Sequence, residues 1–219
     1  MSNLQKVTLQ ETVGGKTLSF QTGTLAKQAG GSVTVHLEDT AILTAATAAR
    51  EPKPGVTFMP LTVDYRERTY AAGKIPGGFF KREGRPREKE ILSARLTDRP
   101  IRPLFSEGWN FETMVQIIVV AADCKNDPDI LSINGASAAL MLSDVPWNGP
   151  VGAVRVGRVN GQIVIFPTFE ERETCELELV VAGQKGAILM VEGGANEVSE
   201  EVMVEALEAA QREIDKICD

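Results

Sequence analysis

The chain has 219 residues, 43% of them hydrophobic, enough to bury a full core as one large domain or two small ones. Lys and Arg number 23 against 30 Asp and Glu, and a pI near 5.0 excludes a general nucleic-acid coat, so any polyanion binding has to be local and salt-sensitive. Three dispersed cysteines (Cys124, Cys175, Cys218) and one histidine, His36, leave no ligand set for structural zinc and no nucleophile–histidine group; an odd thiol count fits a reducing cytoplasm.

The first ten residues, MSNLQKVTLQ, have no apolar signal-type run, and Val115–Ala122 is too short to span a bilayer, so no membrane partner is expected. Alternating apolar residues then predict strands over Lys6–Glu11, Thr17–Gln21, Ser32–His36 and Thr40–Thr47. Gly14-Gly15 and Glu38-Asp39 mark turns, and Gly30-Gly31 marks a break. Leu61–Tyr65 predicts a further strand, feeding a Gly73–Gly84 loop. A helix follows from about Arg87 to Asp98, with Pro86 near its first turn and Pro100 beyond its end. Met114–Ala121 has the composition of a buried strand, and Asp129–Leu142 that of an apolar helix with Asp127 or Asp129 as N-cap. Val151–Val159 and Gln162–Phe166 form a hairpin about Asn160-Gly161, and Glu176–Ala182 and Ala187–Val191 two more strands. An amphipathic helix from near Ser199 closes the chain at Cys218-Asp219 without a tail, an ending that fits a segment of something longer. Strands with interleaved helices, no linker and no internal repeat predict one α+β domain over residues 1–219.

Charge is unevenly spread. From Arg66 to Arg102 there are eleven Lys and Arg against five Asp and Glu, a balance of +6; the remainder holds twelve against twenty-five, or −13. Within this stretch Phe79 and Phe80 stand between Gly77-Gly78 and Lys81-Arg82, with Arg85 close behind. Such a pair is commonly core. Here no apolar period continues on either side, and glycine permits a turn that presents the rings at a loop tip, where bases stack and cations meet phosphate. Arg95 and Arg99 are four apart on one helical face, while Ile91, Leu92 and Leu96 are available to the core. With Arg87 and Arg102 they form either a phosphate-binding face or a solvated one paired with Glu88, Glu90 and Asp98. Asn134-Gly135-Ala136-Ser137 lacks the spacing of a phosphate loop and reads as close helix packing. Glu176 and Glu178 share a strand face and read as its solvent side, with a metal site the less favoured reading.

The run YRERTYAAGKIPGGFFKREGRPREKEILSARLTDRPIRPLF closely resembles the first RNase PH-like core of bacterial polynucleotide phosphorylases. So do FMPLTVDY at Phe58–Tyr65, NDPDILSINGASAAL at Asn126–Leu140, VPWNGPVGAVRVG at Val145–Gly157 and LELVVAGQKGAILMVE at Leu177–Glu192. The resemblance covers nearly the whole chain. It implies an α+β fold of the RNase PH type (ribosomal protein S5 domain 2-like), with mixed sheets packed with helices.

The family resemblance further implies an enzyme that degrades RNA from the 3′ end with phosphate as nucleophile, releasing nucleoside diphosphates. Two such cores, a helical domain and KH and S1 modules would make up the parent, three chains would form a ring, and RNA-degradation proteins are possible partners. Phe79, Phe80, Lys81 and Arg82 would line the channel entrance and grip single-stranded RNA, aided by Arg85, Arg95, Arg99 and Arg102. Lys81 stands where arginine is more usual, keeping the charge and losing the fork.

Chemistry in this family is attributed to the second core, which would bind Mg2+ and phosphate. Where that core has a serine-rich phosphate loop, this chain has Asn126-Asp127-Pro128-Asp129, whose carboxylates repel phosphate. Where it has two acidic metal ligands and a lysine, this chain has Arg172, Glu178 and Val180. No catalytic or metal-binding residue is therefore expected here. The competing readings are a self-sufficient RNase PH-type exoribonuclease and a purely structural ring subunit.

Overall fold

The fold rests on two sheets with one helix between them; the computed structural model describes residues 5–219, so residues 1–4 of the N-terminal stretch lie outside it. The first sheet takes β1 (Val7–Val13), β2 (Lys16–Thr22), β3 (Gly31–Leu37), β4 (Thr40–Pro52), β5 (Leu61–Glu67) and β6 (Phe111–Ala121), in the order β1-β2-β3-β4-β6-β5. All pairings are antiparallel except β5 with β6, where Leu61 faces Thr113 and Glu67 faces Val119. A parallel pair needs a crossover, and α1 (Glu88–Ile101) supplies it. The second sheet, β10-β9-β7-β8, is wholly antiparallel: β7 (Gly152–Val159), β8 (Gln162–Ile165), β9 (Leu177–Gln184) and β10 (Ala187–Ala195). The β7–β8 turn has Asn160 and Gly161 both at positive φ (+50° and +77°), as a type I′ hairpin requires.

Helix α2 (Asp129–Met141) is apolar on every side because it contacts both sheets, packing on β3 and β4 and touching β7. Gly135 lets the helix approach β4 closely: a Cβ there would sit 2.4 Å from Thr44 Oγ1 and 3.1 Å from Ile42 Cδ1. Its polar neighbours bind the other sheet. Asn134 donates from Nδ2 to Ala153 O (2.9 Å) and accepts from Ala153 N–H (2.7 Å), and Ser137 Oγ accepts from Val151 N–H (2.8 Å). The small-residue run is thus close packing, as its composition predicts. β7 is buried on both faces, with α4 (Glu200–Cys218) on the side away from α2. Buried apolar residues from both sheets join one cluster, from Val13 and Leu18 through Ile130 and Leu140 to Val181 and Ile214. Among the described residues no helix is long and apolar enough to cross a membrane.

Several local expectations are corrected. α1 passes through Pro100 instead of ending before it, because Leu96, Thr97 and Ile101 are buried and packing outweighs the missing N–H. Ile91 and Leu92 are half exposed and only Leu96 enters the core. Pro128, and neither Asp127 nor Asp129, holds the N-cap position of α2; the two carboxylates accept from Asp129 N–H (3.4 Å) and Ile130 N–H (2.7 Å) while also pairing with cations. A short helix, α3 (Phe169–Arg172), was not foreseen, although Thr168-x-x-Glu171 forms a reciprocal capping box and is a sequence signal for it.

Gly135→Ala forces a methyl group onto β4. It is expected to lower stability by about 1–3 kcal/mol in urea unfolding, without loss of the folded far-UV signal.

Candidate nucleic-acid interface

Between β5 and α1 the chain makes a 3-10 turn (Thr69–Ala72) and an open loop. Its base is held by Glu83, whose carboxylate accepts from Thr69 N–H (2.6 Å), Arg68 Nη1 (2.6 Å) and Thr69 Oγ1 (2.9 Å). The Thr69 backbone bond, the Arg68 guanidinium and the Thr69 hydroxyl together hold the Glu83 carboxyl down at about 2. Gly78 (φ +79°) and Lys81 (φ +49°) turn the tip outward. Phe79 is 94% exposed and Phe80 81%, their rings edge to face with centroids 5.5 Å apart. Two bare rings outside any core are an unsatisfied apolar surface. Lys81, Arg82 and Arg85 are exposed and have no carboxylate partner among the described residues.

The arginines of α1 divide into three kinds. Arg95 is exposed, without an ion-pair partner among the described residues, and faces a groove along the free edge of β5. Arg99 points the other way and pairs with Glu192 on β10, so the two do not act on one side. Arg102 is a brace: it bonds Asp98 through Nε (2.8 Å) and Nη2 (2.6 Å), Met59 O through Nη1 (2.9 Å) and Leu61 O through Nη2 (3.2 Å). Arg87 pairs with Glu67 (3.1 Å) at the start of the helix.

A second feature emerges only in three dimensions. A cleft of about 820 Å³ opens between α1, the start of α2 and β7, β9 and β10, and is lined by Lys89, Asp127, Asp129, Arg155, Arg172, Glu178 and Val180. Asp127, Asp129, Arg172, Glu178 and Val180, which the resemblance would align with a phosphate loop, metal ligands and a lysine, thus line one cleft. It is filled with mutually neutralising charges. Arg155 bonds Asp129 (2.5 Å) and Glu178; Arg172 bonds Asp127 (2.8 Å) and Glu178 (2.9 Å); Lys89 bonds Asp127 (3.1 Å) and Glu67 (2.9 Å). Lys89 and Arg172 also lie 5.7 and 5.6 Å from the Phe169 ring centre. Glu178 is therefore a cleft residue, correcting its assignment to the solvent side; Glu176 is exposed and pairs with Arg158. Lys89 and Arg155 were not singled out in the sequence, although an arginine inside the apolar strand VGAVRVGRV was an available signal.

Burial raises the cost of ionising Asp127, but Lys89, Arg155 and Arg172 outweigh it and hold the carboxyl below its ordinary value. For Asp129 burial wins over Arg155, and its carboxyl is pushed up. Lys89 is desolvated too, yet Asp127 and Glu67 hold its ammonium on above the usual lysine value. The donor set does not fit a divalent cation, because Asp127, Asp129 and Glu178 are already matched by guanidinium or ammonium groups and the remaining unpaired carboxylate, Glu88, is exposed. It does not fit phosphate, because Asp127 and Asp129 occupy the forks that would hold it.

The fold is that of the RNase PH-type domains, and sequence comparison agrees. Residues 14–146 match the model for domain 1 of the 3′ exoribonuclease family and residues 149–213 the model for its domain 2, so the chain belongs to that family. It is 55% identical over 213 residues to the polyribonucleotide nucleotidyltransferase of Koribacter versatilis, covering 97% of this chain and 26% of that protein. The Heliobacterium modesticaldum enzyme of the same name is 56% identical over 205 residues (94% and 29%), and that of Elusimicrobium minutum 50% over 219 (100% and 31%). The chain thus spans less than a third of the length of these relatives. In fold it superimposes on rice (Oryza sativa) Rrp46 with a TM-score of 0.72 at 15% identity, covering 99% of this chain and 94% of that one.

Removing Arg155 leaves Asp129 buried without a counter-ion, so Arg155→Ala is expected to cost about 3–5 kcal/mol in chemical denaturation. Asp127 has a lowered folded pKa. Its pairs therefore stabilise the fold above the ordinary carboxyl value and are lost as pH falls through the lower one. Asp127→Asn should accordingly be less stable than the native chain at neutral pH, with the gap closing below about pH 4, followed by thermal denaturation across pH.

Proposed function

We propose that this chain is the first RNase PH-like core of a polyribonucleotide nucleotidyltransferase, with residues 1–219 acting as one unit. Its work is to grip and thread single-stranded RNA, and phosphorolysis takes place elsewhere in the longer protein. The observation that carries this reading is the contrast between the two sites. The loop offers uncovered rings and unpaired cations to a flexible polyanion, whereas the buried charges of the cleft are matched internally.

The loop acts by stacking and charge. Bases lie on Phe79 and Phe80, while Lys81, Arg82, Arg85 and Arg95 meet phosphates; each stacked base contributes ~1–3 kcal/mol without demanding a sequence. Holding the strand in register lets its 3′ end reach a distant centre as an intramolecular event. Arg99 and Arg102, already engaged by Glu192 and by Asp98 with backbone carbonyls, support this face from behind. The whole protein in this reading is a cytoplasmic homotrimeric ring in RNA degradation, open to partners of that process. It releases nucleoside diphosphates, with Mg2+ and phosphate held by the other core. Three unpaired cysteines support a reducing compartment.

Fluorescence anisotropy with a labelled oligoadenylate tests the grip. The double substitution Phe79→Ala, Phe80→Ala is expected to weaken binding by about 10–100-fold at unchanged melting temperature, since neither ring is part of the core. Unchanged affinity would leave the structural-subunit reading standing. Incubating the chain with poly(A), phosphate and Mg2+ should release no nucleoside diphosphate, and phosphate-dependent release would overturn the division of labour.

A further inference from the structure

We propose a second stacking station for single-stranded RNA at the opposite end of α1, built on Phe58 and Trp109 and joined to the Phe79–Phe80 loop by the groove along β5. The proposal rests on the RNA-gripping reading of that loop and extends it to a site of defined length.

Phe58 is 70% exposed, on the segment that leads into β5. Beside it the Trp109 and Phe111 rings stack at 4.4 Å and 26°, and Trp109 is oriented by Nε1 donating to Thr113 Oγ1 (2.9 Å). These groups border a cleft of about 420 Å³, whose polar lining includes Arg102, Asn110 and the carboxylate of Glu107. That volume falls in the ~300–1,000 Å³ range of small-ligand sites. An exposed ring, a fixed indole and a side-chain amide are groups that hold an unstacked nucleobase, while Arg102 is already engaged as a brace.

The two aromatic stations lie toward opposite ends of α1, with a groove between them. The loop ends at Pro86, where Arg87 and Glu90 tie the start of α1 to Glu67 at the end of β5. At the other end Arg102 ties the helix to Met59 and Leu61 at the start of β5. Between these ties runs a groove of about 390 Å³, with Pro86 at one end, Leu61 and Asp98 at the other, and Ile91 and Arg95 along it. Three carboxylates also line it, each already engaged: Asp64 by Arg66 (3.0 Å), Asp98 by Arg102 (2.6 Å) and Glu90 by the N–H groups of Glu67 (2.9 Å) and Arg87 (2.6 Å). Arg95 is left as the cation facing the groove. Fourteen helical residues rise ~21 Å, which is about six nucleotides at the ~3.4 Å spacing of a stacked strand and fewer when extended. A strand of four nucleotides reaches only one station, and one of twelve reaches both.

Labelled oligoadenylates of four and twelve nucleotides separate this site from the loop. On the native protein the 12-mer should bind at least about tenfold tighter than the 4-mer. Phe58→Ala, which removes an exposed ring and should leave the melting temperature unchanged, is expected to erase that advantage and leave 4-mer binding intact. Arg95→Gln should reduce the advantage in part. The Phe79→Ala, Phe80→Ala protein should weaken both oligonucleotides. Tryptophan emission gives an independent reading: Trp147 is buried, so quenching by the 12-mer and not by the 4-mer reports Trp109. A 12-mer to 4-mer ratio unaffected by Phe58→Ala overturns the second station while leaving the loop's role intact. Indifference of both oligonucleotides to the loop substitutions overturns the RNA-gripping reading itself. Self-association lost on Phe58→Ala, seen by sedimentation with RNA binding unchanged, would make the surface a protein contact and also overturn the proposal.

Discussion

Taking Arg155 out of water constrains much of the rest of this molecule. A guanidinium in the middle of a strand buried on both faces is tolerable only if carboxylates meet it, and they come from the start of α2 and from β9. That requirement ties α2, β7 and β9 together around one charge, and through Arg172 and Asp127 it also orients the short helix α3. Lys89 extends the network to α1 and to Glu67 on β5. Elements from both sheets are therefore bound by ion pairs as well as by the apolar cluster. Asn134 and Ser137 supply neutral counterparts, fixing α2 against the segment entering β7.

The same network separates two kinds of electrostatics in one small protein. Inside the cleft, positive groups face negative ones at hydrogen-bond distance, and an incoming anion would have to displace a carboxylate that cannot leave. On the loop the cations face solvent and nothing competes for them. Positive charge concentrated on an acidic protein has a clear logic under this division. The negative remainder repels nucleic acid from most of the surface, leaving the basic segment as the favourable approach.

Much of the fold was readable from period and punctuation. Strand alternation in VTLQETV and SVTVH, the Asn160-Gly161 turn and the uniformly apolar run of α2 each carry a local physical signal, and the structure agrees with them. What escaped was decided by distant partners. Pro100 is a helix breaker locally, yet buried Leu96 and Ile101 on either side of it hold the turn. Asp127 and Asp129 have the chemistry of caps and do accept backbone N–H groups at the start of α2, but their other oxygens are taken by cations from β7, α1 and α3, which the sequence did not reveal. Arg99 and Arg95 share a face on a helical wheel and diverge because Glu192 lies on β10. Of the candidate interface, the tip was legible because its aromatics, glycines and cations are adjacent in the chain. Phe58 and Trp109 were not, since only the crossover brings residues fifty apart to one cleft.

The clamp at Glu83 has a further consequence, for the kinetics of recognition. By pinning the chain back to Thr69 it divides a long connection into a short exposed tip on a closed stem. Closing the stem within the protein removes, before any ligand arrives, part of the ordering entropy that a floppy loop would surrender on contact. The tip remains free to adapt to whichever base comes next, while its location is already set. Under the proposed RNA-gripping role, a strand moving past such a fixture would meet a contact fixed in place, which suits threading more than tight binding does.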